Sequence, residues 1–515
     1  MSHTFTWLTH HRLELALDRV KSDQGVAASD WALFRGAIFG RDSLIVALDL
    51  LETHPGLVQC IILSLARLQG THYEALTEEE PGKIHHEHRT LFHNGRRLKP
   101  DAANLVARIA QERSIGSGEG FTYYGTVDAT VQFVRVVAAF VRQYGPELLD
   151  HTFEHRDGGT RTVRDSLLAA VDWTAGQVES SALGLLEFRR TNPHGLKWHV
   201  LRDGTASYVH SDGQLANTTA PVASLEVQGL AYDALLDAAE LFPSHRESAT
   251  WRALASRLRL HTLLLFWMPQ HQYFAMGIDR DAENRPRHLE VITGMPGELL
   301  DTRFFDDLPR PYDRRRLLEP IVRHLYASDL MTPVGPRMRS LRHADILPYT
   351  DYQGSYTSWP VITGIIARGL LRQGFEPLAR DLEHRLLTGL DRVQACAEFI
   401  YVDAAGRPAV RSYAPRSGRA EFFATNLPEL RQAWTVSAAL RAARHLSGPQ
   451  SGRWEKTLSV GILSKQTAQS RVIRPMQVHV NQIVGRLQEA DYLELQGYGY
   501  EIAKAPWLQP APGPS

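Results

Sequence analysis

"AIFGRDSLIVALDLL", residues 37–51, sets an Arg-Asp pair directly in front of an apolar run. From Leu44 onward, Leu44, Ile45, Leu48 and Leu51 recur with the spacing of one buried helix face. Arg41 and Asp42 then stand at the mouth of that helix, just after Phe39 and Gly40. One reading is a plain helix start, with Asp42 or Ser43 as the cap and Arg41 on the surface. The other is a ligand-gripping pair, because a fork of donors beside a carboxylate suits a polar ligand. The rest of the chain has to separate the two.

Working outward, the same helical spacing recurs ten more times before residue 450. It appears in "LELALDRV", "LVQCIILSLARLQ", "ATVQFVRVVAAFVRQYG", "VRDSLLAAVDWTAGQV", "LEVQGLAYDALLDAAELF" and "TWRALASRLRLHTLLLFW". It continues in "RRRLLEPIVRHLYA", "VITGIIARGLLRQG", "PLARDLEHRLLTGLDRV" and "QAWTVSAALRAARHL". Strand-like runs are few, chiefly "HQYFAMGID" and "EFIYVDAAGRPAVRSY". The connections alternate: "ETHPG" and "RQGFEP" are tight, whereas 71–122, 189–224 and 401–431 are long. Long loops in a compact domain usually carry function. No fixed repeat marks a solenoid. An all-α ring of helical hairpins, with the long loops gathered on one face, fits this alternation. After about residue 450, "SVGIL", "PMQVHVNQIVG" and "ADYLELQGYGYEI" read as strands, and "PWLQPAPGPS" reads as a disordered tail. The expected organisation is therefore a helical domain over 1–448, a short β-rich appendage over 449–505 and a tail over 506–515.

Composition narrows the class. Lys+Arg 57 balances Asp+Glu 57, and no basic stripe marks a nucleic-acid binder. Cys60 and Cys396 are too few and too far apart for a disulfide framework or a metal knuckle. No uninterrupted run of 18 apolar residues marks a membrane span. The amino terminus does not read as a signal peptide, so a cytoplasmic protein is expected.

The long loops hold the polar chemistry. "EEPGKIHHEHR" (79–89) presents His85, His86, Glu87, His88 and Arg89 without the i, i+4 His pair of a zinc helix. A polar loop facing a hydroxylated ligand is the better reading, and no metal is expected. "YYGTVDAT" (123–130) sets Tyr123 and Tyr124 before Asp128, as stacking platforms beside a carboxylate or as a capped helix start. "RDGTASYVHSDGQLA" (202–216) carries Asp203 in a Gly-containing loop, and Asp212 in what reads as a plain turn. "EFFATNLPELRQAW" (421–434) sets Glu421 beside two phenylalanines, where an apolar setting can raise a carboxyl pKa.

Taken together these stretches resemble the six-hairpin glycosidases, in particular the amylo-α-1,6-glucosidase or glycogen-debranching group. "FGRDSLIVALDLL" resembles that group's FGRD-plus-helix signature, and "EEPGKIHHEHR" its EPGKI-HE-R loop. "YYGTVDAT", "RDGTASYVHSDGQLA" and "LEVQGLAYDAL" follow in the family's order. "YQGSYTSWPVITGIIARGL" and "EFFATNLPELRQAW" complete it. There are departures. The family's PGHLLW is "PGELLD" (296–301), its VWPHDN is "SWPVIT" (358–363), and Leu201 replaces a Trp before Arg202-Asp203.

The resemblance implies an (α/α)6 toroid and an inverting, exo-acting glycoside hydrolase of α-glucosidic bonds, with a carbohydrate substrate and no cofactor. It implies Asp203 as general acid and Glu421 as general base, with Glu429 in reserve. Arg41, Asp42, His86, Glu87, Tyr123, Tyr124, Asp128 and Trp359 would bind the sugar. Glu226 reads as structural. Two other functions compete: a sugar epimerase or isomerase on the same toroid, or a carbohydrate-binding relative whose catalysis has decayed.

Overall fold

A computed structural model describes residues 5–30, 34–93, 96–98, 100–116, 120–310, 312–346, 352–410 and 428–447. Glu421, the expected β-rich appendage and the expected tail lie outside the described residues.

Twelve α-helices are present among the described residues. They are α1 (His10–Val20), α2 (Gly40–Leu50), α3 (Pro55–Arg67), α4 (Pro100–Glu112), α5 (Asp128–Tyr144) and α6 (Val163–Ser180). They continue as α7 (Leu225–Leu241), α8 (Ser248–Leu265), α9 (Arg314–Leu325), α10 (Pro360–Arg372), α11 (Glu376–Val393) and α12 (Ala433–Ser447). Eleven of them fall where the apolar spacing places them. The exception is α4, in the middle of the stretch read as a long loop. It packs on a small cluster of its own, built from Val106, Ala110, Ile115, Phe121 and Tyr123. The main core does not depend on it.

The helices alternate between two positions. α2 packs on α5, α5 on α7, and α7 on a 3-10 helix at Met295–Asp301. That segment packs on α10, α10 on α12, and α12 back on α2, which closes the circuit. Each member carries a flanking partner: α1 on α12, α3 on α2, α6 on α5, α8 on α7, α9 on the 3-10 segment and α11 on α10. Burial matches this arrangement. α5 and α10 bury residues right around their circumference, as inner helices must. The outer α1 buries only Leu13, Ala16, Leu17 and Val20. Tight turns lead from α2 to α3, α7 to α8 and α10 to α11, residues 145–162 between α5 and α6 hold a 3-10 helix and a hairpin, and the longest connections feed the N-termini of inner segments.

Small antiparallel sheets stiffen those long connections. Glu87–Thr90 lies between Ile38–Phe39 and Gly120–Tyr123, pairing Phe39 with Glu87 and Glu87 with Tyr123. Thr357–Ser358 pairs with Ile400–Val402, which pairs with Pro408–Ala409. The run "HQYFAMGID" becomes Tyr273–Phe274 and Gly277–Arg280.

The expected cap at the mouth of α2 is not there. The helix starts at Gly40, earlier than Asp42 or Ser43 would allow as caps, and no side chain caps it. Instead Gly40 N–H donates to the His86 carbonyl at 3.0 Å. A Cβ at Gly40 would sit 2.2 Å from the His85 carbonyl oxygen. Only glycine lets the segment 84–86 cross so close to the helix mouth.

Two of the family departures are explained here. Asp301 receives both arms of Arg368 at 2.7 Å, and Arg368 also donates to Asp49 at 2.7 Å. This joins the 3-10 segment, α10 and α2 in the core. Glu298 receives Arg202 at 2.6 Å, and Arg202 also donates to Glu226 at 2.6 Å. Replacing Arg368 by Met should leave Asp301 with only Arg135 at 3.6 Å and Asp49 with only Arg441 at 3.0 Å as cationic partners in the core. Urea denaturation is expected to show a loss of about 3–5 kcal/mol, with the far-ultraviolet circular dichroism of the native state retained.

Candidate active site

A cavity of about 590 Å³ opens among the described residues. Its wall draws on the mouths of inner helices and on the loops that feed them. Arg41 and Asp42 come from α2, Trp359 from the residue before α10, and Trp434 from α12. His86, Glu87, Asp203, Tyr352, Gln353, Glu398 and Glu429 come from the loops and their small strands.

Arg41 organises this wall. It is 3% exposed, so the surface reading fails. Its Nε donates to Asp128 Oδ2 at 2.7 Å and its Nη1 to Asp203 Oδ2 at 3.4 Å. Its Nη2 lies 3.3 Å from His86 Nδ1. Asp203 keeps 24% of its side chain open. Burial raises its pKa, opposed by the Arg41 charge and hydrogen bond. Burial also lifts Asp42 to about 7, against the pull of Arg41 and with the push of Asp203 and Asp128. His86 is held neutral, its pKa lowered by burial and then by Arg41.

Glu87 accepts from Arg89 and, at 2.6 Å, from Arg113. A second group of carboxyls comes from the 394–432 connection. Glu398 accepts from Tyr352 Oη–H at 2.7 Å and from the Glu429 backbone N–H at 3.3 Å. Burial raises it to about 8, helped by the charges of Glu429 and Asp42. Glu429 accepts from Ser29 Oγ–H at 2.8 Å. Aromatic rings back this side: Trp359 stacks on Phe399 at 5.6 Å and lies 5.9 Å from Trp434. Two groups of cavity-wall residues are buried without a hydrogen-bond partner, the Trp434 Nε1–H donor and the Gln432 Oε1 acceptor.

The structure thus gathers Arg41, Asp42, His86, Glu87, Asp203 and Trp359 around one cavity. Asp128, expected to bind sugar, stands behind the wall and holds Arg41. Tyr123 and Tyr124, expected as platforms, do not line the cavity. Both are fully buried. Tyr123 Oη–H donates to Glu78 at 2.5 Å and accepts from the Leu196 N–H at 2.9 Å. Tyr124 Oη–H donates to the Leu68 carbonyl at 2.5 Å. Adjacent residues leaving a strand point to opposite sides, so both rings could not have faced one ligand. Glu226 is the partner of Arg202, as its structural reading required, and Asp212 holds a turn by accepting from Gln214 N–H at 2.9 Å. The 85–88 histidines do not converge on a point: His88 lies 2.8 Å from Thr122 Oγ1, and both ring nitrogens of His85 are buried without a hydrogen-bond partner. Among the described residues no group of three His, Cys, Asp or Glu side chains stands where it could hold a metal ion. No helix there is long and apolar enough to cross a membrane.

Sequence reasoning missed Glu398, Tyr352, Gln353, Gln432 and Trp434. The last two stand in "RQAW", a motif to which the sequence alone assigns no chemistry. Glu398 is legible only as a lone acid in "ACAEFIYV".

No family model and no curated protein matches the chain. Solved structures do match. The GH63 mannosylglycerate hydrolase from Thermus thermophilus, in complex with Tris, superposes with a TM-score of 0.55 at 13% identity, over 84% of this chain and 99% of that one. The complex of the same enzyme with glucose gives 0.53 at 14% identity, with the same coverage. The chain shares their fold. The likeness is to this glycosidase fold, and it does not single out the glycogen-debranching group.

Glu398 also gives a pH test. A carboxyl whose pKa is raised on folding binds its proton more tightly in the folded state, so stability falls as pH rises from the unfolded to the folded pKa. For Glu398 that window runs from about 4.5 to about 8. Glu398→Gln keeps an acceptor for Tyr352 and removes the titration. Urea midpoints measured at pH 5 and pH 8 should differ less in this variant than in the unaltered protein.

Proposed function

We propose that the chain is an inverting glycoside hydrolase on an (α/α)6 toroid, acting at the non-reducing end of a small α-glucoside. The closed circuit of six inner segments, each with an outer partner, supports the toroid. The observation that carries the function is Asp203, an acid with a raised pKa, open to the cavity and hydrogen-bonded to a buried Arg41 fork. A general acid must hold its proton and reach the leaving oxygen, and burial shifts Asp203 toward the first condition while its open face serves the second.

In this reading Asp203 protonates the glycosidic oxygen. A carboxylate on the opposite face activates a water, with about 6.5–9.5 Å between the two carboxyls to admit it. Glu421 is proposed as that base. Its support is the resemblance of "EFFATNLPELRQAW" to the family motif. Glu429 is the described rival, but its carboxylate is engaged by Ser29. Glu398 suits the base role poorly, because a carboxyl pushed up to about 8 stays protonated at neutral pH. Arg41, Asp42, His86, Glu87 and Trp359 are proposed to bind the sugar, with the unpartnered Trp434 donor and Gln432 acceptor reading hydroxyls beside them. Tyr123 and Tyr124 drop out of that set, and Asp128 acts through Arg41. No cofactor takes part, and the protein is proposed to work in the cytoplasm.

The cavity is of the size that encloses a small ligand, which suits a sugar with a short leaving group better than a branched glucan. Two structures of similar fold are described with glucose or as a mannosylglycerate hydrolase, so a small acid is a reasonable leaving group to include in a substrate panel. The epimerase reading loses ground because the 85–88 histidines do not form a pair across the cavity. The decayed-site reading loses its main argument too. Glu298 and Asp301 are paired in the core and do not line the cavity.

A panel of α-glucosides should release glucose, and proton NMR should show β-glucose as the first-formed anomer. First-formed α-glucose, or interconversion of free sugars without hydrolysis, would sink this reading. Asp203→Asn and Glu421→Gln should each lower kcat by about 10²–10⁴-fold, with folding intact, and Glu429→Gln should be mild. A dead Glu429→Gln beside an active Glu421→Gln would move the base to Glu429.

A further inference from the structure

The loop that carries Asp203 has no regular structure of its own, yet an acid must be held to a fraction of an ångström. One side chain grips that loop at three points. Gln353 Oε1 accepts from the Gly204 backbone N–H at 2.9 Å and from Ser207 Oγ–H at 2.5 Å. Its Nε2 donates to the Leu201 carbonyl at 3.0 Å. Leu201 and Gly204 bracket Asp203 on either side. Gln353 is 6% exposed, and this uses both ends of its amide on a single loop.

Gln353 is itself seated. The preceding Tyr352 donates its hydroxyl to Glu398 at 2.7 Å. Its ring stands edge-on to Trp359 at 5.2 Å and to Phe399 at 5.3 Å. Its carbonyl accepts from Trp359 Nε1–H at 3.1 Å. A second observation points the same way. A Cβ on Gly204 would lie 2.9 Å from Tyr352 Cδ1, 3.0 Å from Ser207 Oγ and 3.1 Å from Gln353 Oε1. The loop is pressed onto the Tyr352–Gln353 pair, and glycine is what lets it come so close.

We propose that Gln353, anchored through Tyr352 to Glu398 and Trp359, is the positioning residue that fixes Asp203 against Arg41 for proton delivery to the leaving group. The inference rests on Asp203 being the general acid. It assigns Gln353 no contact with the reacting atoms. Its effect passes through the backbone on either side of Asp203.

Leaving-group dependence separates this role from a merely structural one. Fluoride leaves without a proton from the enzyme, whereas an alkoxide leaving group needs one. Hydrolysis of α-D-glucosyl fluoride and of isomaltose is therefore compared for the unaltered protein, Asp203→Asn, Gln353→Ala, Gly204→Ala and Tyr352→Phe. Gln353→Ala and Gly204→Ala should lose about 10–100-fold in kcat on isomaltose, within the range a positioned acid contributes. On the fluoride they should lose less than about 3-fold, with KM little changed on either substrate. Tyr352→Phe should show the same discrimination in smaller measure. Equal losses of Gln353→Ala on both substrates would overturn the positioning role, as would no loss on either. If Asp203→Asn itself fails to discriminate, or the unaltered protein hydrolyses neither compound, the acid reading beneath the inference falls instead. Circular dichroism and the urea midpoint of each variant report folding. If Gln353→Ala does not fold, Gly204→Ala decides alone.

Discussion

Arg41 is the group on which the site depends. A guanidinium at 3% exposure cannot shed its charge, so carboxylates must come to it. Asp128 arrives from the first residue of α5, and Asp203 from the loop before α7. His86 comes from the segment just before the Glu87–Thr90 strand, which crosses the mouth of α2. Three separate stretches of chain are thereby drawn to one point at the mouth of α2. Asp42, next to Arg41 in sequence, does not pair with it and instead accepts from Gln432 Nε2–H at 3.1 Å. That ties α2 to the entrance of α12, where the circuit closes.

Burial then divides the cavity's carboxyls by role. Asp128 sits behind Arg41 as its counter-ion. Asp42 and Glu398 are pushed up to about 7 and about 8, so near neutral pH much of each stays protonated and can donate a hydrogen bond. A wall that mixes neutral acids, arginines such as Arg41 and Arg113, and indole rings suits a ligand made of hydroxyls and weakly apolar faces.

The helices were legible because their signal is local. Runs such as "ATVQFVRVVAAFVRQYG" carry their periodicity within one element, whatever they pack against. α4 carries the same kind of signal, in Leu105, Val106, Ile109 and Ala110, and escaped because 71–122 reads as one long loop; the helix serves a small cluster with Tyr123 and Phe121. Arg41, Asp42 and Asp203 were legible from motif order, but their geometry was not. Motif order sets Tyr124 and Asp128 beside the sugar, and the structure puts them behind the wall. The brace through Gln353 could not be read at all. Its contacts span 146–152 positions in the chain, and neither glutamine nor glycine advertises such a partner. Glu398 and Tyr352 stand 46 positions apart and were invisible for the same reason.

The Arg202–Glu226–Glu298 group bears on how this sequence can change. Glu298 stands where the resembling family has a histidine, and it satisfies an arginine that is 1% exposed. Exchanging Glu298 alone strips Arg202 of one of its two carboxylates. Exchanging Arg202 alone leaves two acids facing each other in the core. Breaking a buried pair by removing one partner typically costs about 3–5 kcal/mol, a large share of the stability of an ordinary domain. Either exchange made alone removes much of the margin that keeps such a domain folded. Arg202, the residue beside the acid, is thus held by two acids at once. Substitutions around Asp203 should be found to travel in pairs.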